Sequence, residues 1–213
     1  MTKDGGDTAH NSSAMAERDA QIFGPLPRIP PLAPSEISAD AKEVLRGIRR
    51  AIGLDPDSND PVPEFVSTIL RHPNLYKQFM AYGLQILNGA VSVRHRELAT
   101  LRIAWLCRAP LEWGEHVAAS KRCGMTAAEI ERVTRGSADP AWTANDSAVI
   151  RAAEELYADA MISDETWSAL ASFLDEKQLI ELPFLIGHYT AVAYYQNTLR
   201  VRPLPGNRGL ASR

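Results

Sequence analysis

The sequence predicts an all-α protein of about eight helices. Apolar residues recur every three or four positions through most of the chain after Ser38, which is the period of an amphipathic helix. Several of these segments begin with helix-capping residues, as in Thr126-Ala-Ala-Glu129, where a hydroxyl and a glutamate three residues later form a capping box. No stretch of five or more residues alternates apolar and polar side chains as a half-buried strand does.

The composition is typical of one globular domain. The chain has 213 residues, of which 45% are hydrophobic and 23% charged, with a net charge of −3. This charge gives no basic field for nucleic acid, and no run approaches the roughly 20 apolar residues of a membrane span. The first residues lack the apolar core of a secretory signal, and two cysteines are too few for a disulfide scaffold. We therefore expect a cytoplasmic protein without nucleic-acid or membrane partners.

Three regions are predicted along the chain. Residues 1–35 are expected to form an extended, partly disordered arm, because five prolines between positions 25 and 34 exclude a helix interior. Residues 36–202 are expected to form the helical domain. Residues 203–213 are expected to be a flexible tail.

The helices of the domain are placed by their start and stop signals. Gly53 is a plausible stop for the first helix, Pro110 suits the first turn of a central helix, and Gly124 ends that helix. Thr143 and Ser163 are further capping residues, and Pro183 is a possible kink in the last helix. The predicted helices cover 38–52, 64–70, 74–87, 94–107, 110–123, a short segment after 126, 143–160, 163–173 and 176–199.

Two carboxylates and an imidazole interrupt the central apolar helices. Glu112 and His116 are four residues apart, so they share a helix face, and a neighbouring carboxylate would raise the histidine pKa. This makes them a candidate acid–base pair, although such pairs are also common on solvated surfaces. Glu97 either lines a pocket with them or pairs with Arg94 or Arg102 at the helix rim.

The last helix supplies further candidates. His188 lies close to Tyr189 and Tyr195, and these three residues are candidate substrate contacts. The alternative for His188 is a core histidine bonded to a backbone carbonyl or a tyrosine hydroxyl. Trp113 is either a pocket wall or an ordinary packing residue.

The central segment RELATLRIAWLCRAPLEWGEHVAASKRCGMTAAEI, residues 96–130, resembles the carboxymuconolactone decarboxylase branch of the alkyl hydroperoxidase D-like superfamily. Residues 28–45 and 175–199 also resemble the terminal segments of such proteins. Glu97, Ala109, Glu112 and His116 fall in the frame of that superfamily's E-x11-C-x2-C-x3-H motif. Ala109 and Glu112 occupy the two cysteine positions, so this chain belongs with the proteins that lack the CxxC pair.

The resemblance implies a compact helical subunit that assembles as a trimer or hexamer, with a pocket near the subunit boundary. It also implies cofactor-independent decarboxylation of a small carboxylated lactone or an aromatic-derived acid. His116 would deliver the proton, Glu112 would orient it, and Glu97 would be a further orienting residue or the alternative base. No metal, flavin or nucleotide is expected, because the sequence has no HExxH motif and no glycine-rich phosphate loop.

Two alternatives remain open from the sequence. The first is an alkyl hydroperoxide reductase that uses Cys107 or Cys123, although a thiol peroxidase normally needs an attacking and a resolving cysteine. The second is a non-catalytic helical oligomer that binds a small acid. Peroxide turnover that depends on the cysteines would support the first, and ligand binding without turnover would support the second.

Overall fold

The computed structural model describes residues 5–213, with side chains placed from residue 13 onward. Within that range the chain is all-α and contains no strand, which confirms the predicted fold class with two more helices than the expected eight. The helices are α1 (Gly5–Phe23), α2 (Ala39–Ala51), α3 (Glu64–Ile69), α4 (Pro73–Leu87), α5 (Val93–Leu106), α6 (Pro110–Arg122), α7 (Ala127–Arg135), α8 (Ala144–Asp159), α9 (Asp164–Ala171) and α10 (Glu176–Leu199).

The helix starts follow the capping residues of the sequence. Ser38 accepts a hydrogen bond from the backbone N–H of Ala41 at the start of α2. Thr126 and Glu129 form the predicted capping box of α7. Thr143 and Ser163 cap α8 and α9 through their hydroxyl groups. These local signals explain why the predicted boundaries lie close to the observed ones.

Helix α5 is the centre of the domain. Every residue from Arg96 to Ala104 is buried, and the helix packs against α6, α8 and α10. A helix enclosed on all sides has almost no solvated face, so any polar side chain on it needs a partner inside the protein. Glu97 is one of these enclosed polar residues.

A tight turn sets α6 against α5. Arg108 adopts the left-handed conformation with φ 48°, and the backbone N–H of Ala109 donates to the Ala104 carbonyl at 2.9 Å. Pro110 then occupies the first turn of α6, where its missing N–H costs no hydrogen bond. The turn folds α6 back along α5 and brings His116 opposite Glu97.

The N-terminal region differs from the extended arm that was expected. Gly5–Phe23 is a helix, and the prolines begin only at Pro25. The segment before them is rich in Ala, Glu, Arg and Gln, which favour helix. Residues 24–33 are irregular, as the prolines predict. The disordered start that was predicted falls partly on residues 1–4, which lie outside the described residues.

The C-terminal segment was expected to be a flexible tail, but it packs on the domain. Leu210 is buried against the core, and the carbonyl of Ser212 accepts a hydrogen bond from the Trp113 indole at 3.0 Å. The Arg213 guanidinium lies 5.3 Å from the centre of the Trp105 ring. These tertiary contacts outweigh the Gly- and Pro-rich local sequence. In the described part of the chain, no helix is long and apolar enough to cross a membrane.

Candidate active site

Glu97, His116 and Glu112 form a continuous hydrogen-bonded cluster, which we call the Glu–His–Glu triad. Nδ1 of His116 lies 2.8 Å from Oε2 of Glu97, and Nε2 lies 3.1 Å from Oε1 of Glu112. Glu97 reaches the imidazole from α5, whereas Glu112 comes from one turn earlier on α6. The imidazole is therefore held between two carboxylates, one at each ring nitrogen.

The triad is almost enclosed by protein. The side chains of Glu97 and Glu112 are 3% and 5% exposed, and that of His116 is 16% exposed. Of these three side chains, that of His116 is therefore the most accessible to solvent. A surface cavity of about 530 Å³, lined by α2 and the loop at residues 56–62, lies elsewhere in the molecule.

The two carboxylates fix the charge state of His116. Burial alone disfavours the imidazolium, but the hydrogen bonds and charges of Glu112 and Glu97 outweigh it and raise the pKa of His116 to about 10. For Glu97, burial would raise the pKa, but the bonds to His116 and Arg96 prevail and lower it. At neutral pH, His116 is an imidazolium and Glu97 is a carboxylate.

Different groups hold the two outer ends of the triad. Nε and Nη2 of Arg96 each lie 3.3 Å from Oε1 of Glu97, so this end carries a positive charge. At the other end, the amide of Gln196 on α10 donates to Oε2 of Glu112 at 2.9 Å. The sequence reasoning missed both residues. The sequence signal for Gln196 was a polar amide in the segment 182–199, which has no charged residue, and the structure shows that this amide is buried.

Glu97 does not pair with Arg94 or Arg102 at the helix rim. Arg94 binds Asp146 and Glu129, with nitrogen–oxygen distances of 3.0 and 2.7 Å. Arg102 binds Glu154 at 2.9 Å. Both arginines thus form ion pairs with residues of α7 and α8. The alternative that Glu97 pairs with Arg94 or Arg102 is therefore wrong.

The candidate aromatic residues of α10 take different positions. The Tyr189 ring lies edge-on between the two histidines, with centroid distances of 4.8 Å to His116 and 5.3 Å to His188. The Tyr195 ring lies 5.7 Å from Phe79 of α4. Burial and the charge of Glu112 raise the pKa of both tyrosines, so both phenols stay protonated.

His188 occupies an aromatic environment next to the triad. Its ring stacks on Phe79 at 4.8 Å and meets Tyr82 edge-on at 4.9 Å. The side chain is buried, and its Nδ1 has no hydrogen-bond partner. Burial lowers the pKa of His188, and the charges of Glu112 and His116 act on it in opposite directions. The bond to a backbone carbonyl or tyrosine hydroxyl that the core-histidine alternative predicts is not made by Nδ1.

Trp113 packs the C-terminal segment instead of contacting the triad. It is fully buried, donates to Ser212 and lies 5.0 Å from the Trp105 ring. The sequence placed Trp113 on the same helix as His116 but could not show which element each face would meet. The observed contacts of Trp113 are thus those of an ordinary packing residue.

Neither cysteine lies in the triad. Cys107 ends α5, and burial raises the pKa of its thiol to about 11, which leaves little thiolate at neutral pH. Cys123 is exposed at the end of α6.

The triad is suited to proton transfer. Both imidazole nitrogens face carboxylate oxygens, so both carry protons and neither offers a lone pair to a metal. In the described part of the chain, no group of three or more His, Cys, Asp or Glu residues is arranged to hold a metal ion. The proton on Nε2 can leave without disturbing the bond between Nδ1 and Glu97.

Comparisons with solved structures concern the fold. Three solved structures share the fold. An uncharacterized peroxidase-related protein of Ralstonia eutropha with an AhpD core has 14% identity and a TM-score of 0.69, over 85% of this chain and 94% of that one. The debrominase Bmp8 in its apo form has 15% identity and a TM-score of 0.64, over 84% of this chain and 94% of that one. An AhpD-like protein of Agrobacterium tumefaciens has 16% identity and a TM-score of 0.58, over 64% of this chain and 94% of that one.

These identities show a common fold and nothing finer. The sequence matches none of the curated proteins with which it was compared. Residues 73–155, which contain α4, α5 and α6, match the Carboxymuconolactone decarboxylase family. The likeness to this family thus lies in residues 73–155, and the AhpD-like structures share the overall fold.

Proposed function

We propose that this protein is a cofactor-independent acid–base enzyme that decarboxylates a small carboxylated lactone or an aromatic-derived acid. The observation that carries the proposal is the Glu–His–Glu triad, which holds a second proton on His116 beside the Tyr189 ring. The motif has no cysteine at the position of Glu112, so this site supplies protons and no redox-active thiol.

The proposed reaction has two steps. The bond between the carboxylate carbon and the lactone breaks, carbon dioxide leaves, and the electron pair moves into the unsaturated carbonyl system as an enolate. His116 then donates the Nε2 proton to carbon, and the imidazole recovers a proton from solvent. Glu97, anchored by Arg96, keeps the Nδ1 proton in place throughout.

Glu112 has a specific part in this scheme. In the resting protein, its carboxylate accepts the hydrogen bond from the Nε2 proton of His116. Glu112 must therefore move away before the substrate receives that proton. Withdrawal removes one of the two interactions that raise the pKa of His116, so the imidazolium becomes a stronger acid at that moment. Gln196 holds the other oxygen of Glu112 while this happens.

The test is carbon dioxide release and loss of ultraviolet absorbance with 4-carboxymuconolactone. We expect wild-type turnover, and a loss of about a hundredfold or more in His116→Ala and Glu112→Gln, the range for a general acid. Glu115→Gln is the matched control, because Glu115 lies on the same helix but binds Asn207. Full turnover by folded His116→Ala or Glu112→Gln would contradict the proposal.

We also propose that the protein is a homo-oligomer, a trimer or a hexamer. The outer face of α10 supports association, because Ile180, Phe184 and Tyr194 are 63%, 58% and 62% exposed and recur at helical spacing. Residues 182–199 carry no charge that would favour contact with water. Light scattering at micromolar concentration tests this, and a strictly monomeric protein would contradict it.

A further inference from the structure

His188 is a buried imidazole whose Nδ1 makes no hydrogen bond within the described part of the protein. Its surroundings are the rings of Phe79, Tyr82 and Tyr189. Nδ1 is fully buried without a hydrogen bond, and a buried polar atom without a partner is destabilising. Among the buried atoms of this kind, Nδ1 of His188 is the one that belongs to an imidazole next to the triad, and it is free to form a hydrogen bond with a ligand.

Gly83 keeps space open beside the other ring nitrogen. It lies inside α4, where alanine is favoured over glycine by about 1 kcal/mol. A Cβ at this position would stand 3.1 Å from His188 Nε2 and 3.3 Å from Cε1. The glycine therefore weakens its helix but leaves the edge of the His188 ring uncrowded.

The charges near His188 are already balanced. Among the described residues of the triad and its end groups, two carboxylates face two cations, His116 and Arg96. The groups that face His188 are Tyr82 from α4, Glu112 and His116 from α6, and Tyr189 from α10. An anion that enters this region therefore adds an unbalanced negative charge, which is costly in a buried site.

We propose that His188 binds the carboxylate of the substrate and takes up one proton from solvent as it does so. The neutral imidazole, a solvent proton and the incoming carboxylate become an imidazolium–carboxylate pair. The only covalent bond formed is the second N–H bond of the imidazole, the solvent or buffer acid gives up that proton, and the site stays balanced in charge. This inference rests on the proposed function only in its choice of a carboxylate as the ligand.

The proposal predicts a definite pH dependence of binding. Burial lowers the pKa of His188 in the free protein, whereas a bound carboxylate raises it. Between those two pKa values, each binding event removes one proton from solution, and the affinity falls about tenfold for each unit of rising pH. A carboxylate held by a permanently charged arginine would show no such dependence in this range.

The test is isothermal titration calorimetry of the full-length protein with benzoate as the probe. Titrations in phosphate and in Tris at pH 7.5 give the number of protons taken up, because the two buffers differ in ionisation enthalpy. We expect proton uptake of up to one proton per benzoate, and up to tenfold weaker binding at pH 8 than at pH 7. His188→Gln should abolish the uptake and weaken binding at least tenfold.

Gly83→Ala is the second variant, because it favours the helix but crowds Nε2. We expect it to fold at least as stably as wild type and to bind benzoate several-fold more weakly. Gly47→Ala is its matched control, because a Cβ there would have no neighbour within 4 Å, and benzoate binding should be unchanged. No binding at millimolar benzoate, binding without proton uptake, or uptake that survives His188→Gln would overturn the proposal.

The outcomes separate this inference from the proposed function. Proton-linked benzoate binding without turnover of 4-carboxymuconolactone would support the role of His188 and contradict the lactone as substrate. Turnover with no proton uptake on binding would overturn the role of His188 and leave the triad chemistry intact.

Discussion

The two buried histidines of this protein have opposite chemistry. His116 and His188 both contact the Tyr189 ring, and both are largely removed from solvent. His116 has a carboxylate at each nitrogen, and its pKa is raised to about 10. His188 has aromatic neighbours and an unpartnered nitrogen, and its pKa is lowered.

The difference shows that burial alone does not decide the charge of an imidazole. Burial disfavours the charged form of both rings, yet two hydrogen-bonded carboxylates reverse the outcome at His116. One ring thus holds a second proton at neutral pH, while the other is neutral.

The largest effect is expected from removing the charged histidine. His116→Ala leaves two buried carboxylates without the cation between them, which should lower the free energy of unfolding by about 3–5 kcal/mol at pH 7. His188→Phe replaces an unpaired polar ring by an apolar one, so it should cost less than about 1 kcal/mol. Urea unfolding of both variants makes the comparison, and equal losses would show that the two rings have equivalent environments.

The second effect is the pH dependence of stability. The pKa of His116 is raised from 6.5 to about 10 by folding, so its contribution is fully present below 6.5 and is lost as the pH rises through about 10. The difference in unfolding free energy between wild type and His116→Ala should therefore shrink between pH 7 and pH 10. A difference that grows over this range would have the wrong sign for an imidazolium.

The third effect concerns Glu112, whose second oxygen is bound by the uncharged amide of Gln196. Gln196→Leu removes the donor to Glu112 and leaves a buried carboxylate oxygen unpaired, which should cost about 1–3 kcal/mol. Gln85→Leu, on the exposed face of α4, is the matched control and should be within about 0.5 kcal/mol of wild type. Thermal unfolding measures both, and equal shifts would mean that Gln196 does not support Glu112.

The smallest effect is expected at the cysteines. Cys107→Ser and Cys123→Ser should leave turnover of 4-carboxymuconolactone within about twofold of wild type, because neither thiol lies in the triad and the Cys107 thiol is mostly protonated. A peroxide-consumption assay on the same proteins gives the complementary measurement. Peroxide turnover that is lost in either variant would support the hydroperoxide reductase alternative instead.

The sequence predicted the parts of this site that depend on local geometry. Glu112 and His116 were paired from their spacing on one helix, and the raised histidine pKa followed from that pairing. The bond between Gln196 and Glu112 spans 84 residues, so no local pattern contains it. Arg96 was overlooked because its spacing does not distinguish a buried partner of Glu97 from a solvated arginine.

The same reasoning explains the errors in the fold. Capping residues and proline positions gave the helices of the domain, because they act within one turn of the chain. The C-terminal segment is ordered by contacts with Trp113 and Trp105 on other helices, and its own sequence carries no sign of them. Trp113 was offered as a pocket wall for the same reason, since helical periodicity does not tell which neighbour covers each face.

The most direct test of the two-histidine contrast is a nitrogen-15 NMR titration of the imidazole side chains from pH 5 to pH 9. The chain has five histidines, and His188→Gln and His116→Ala assign the two relevant signals. Our account predicts that His116 keeps both ring protons across the whole range, while His188 loses its second ring proton at a lower pH than a solvent-exposed histidine. Loss of a proton from His116 near pH 6.5, in step with a solvent-exposed histidine, would contradict it.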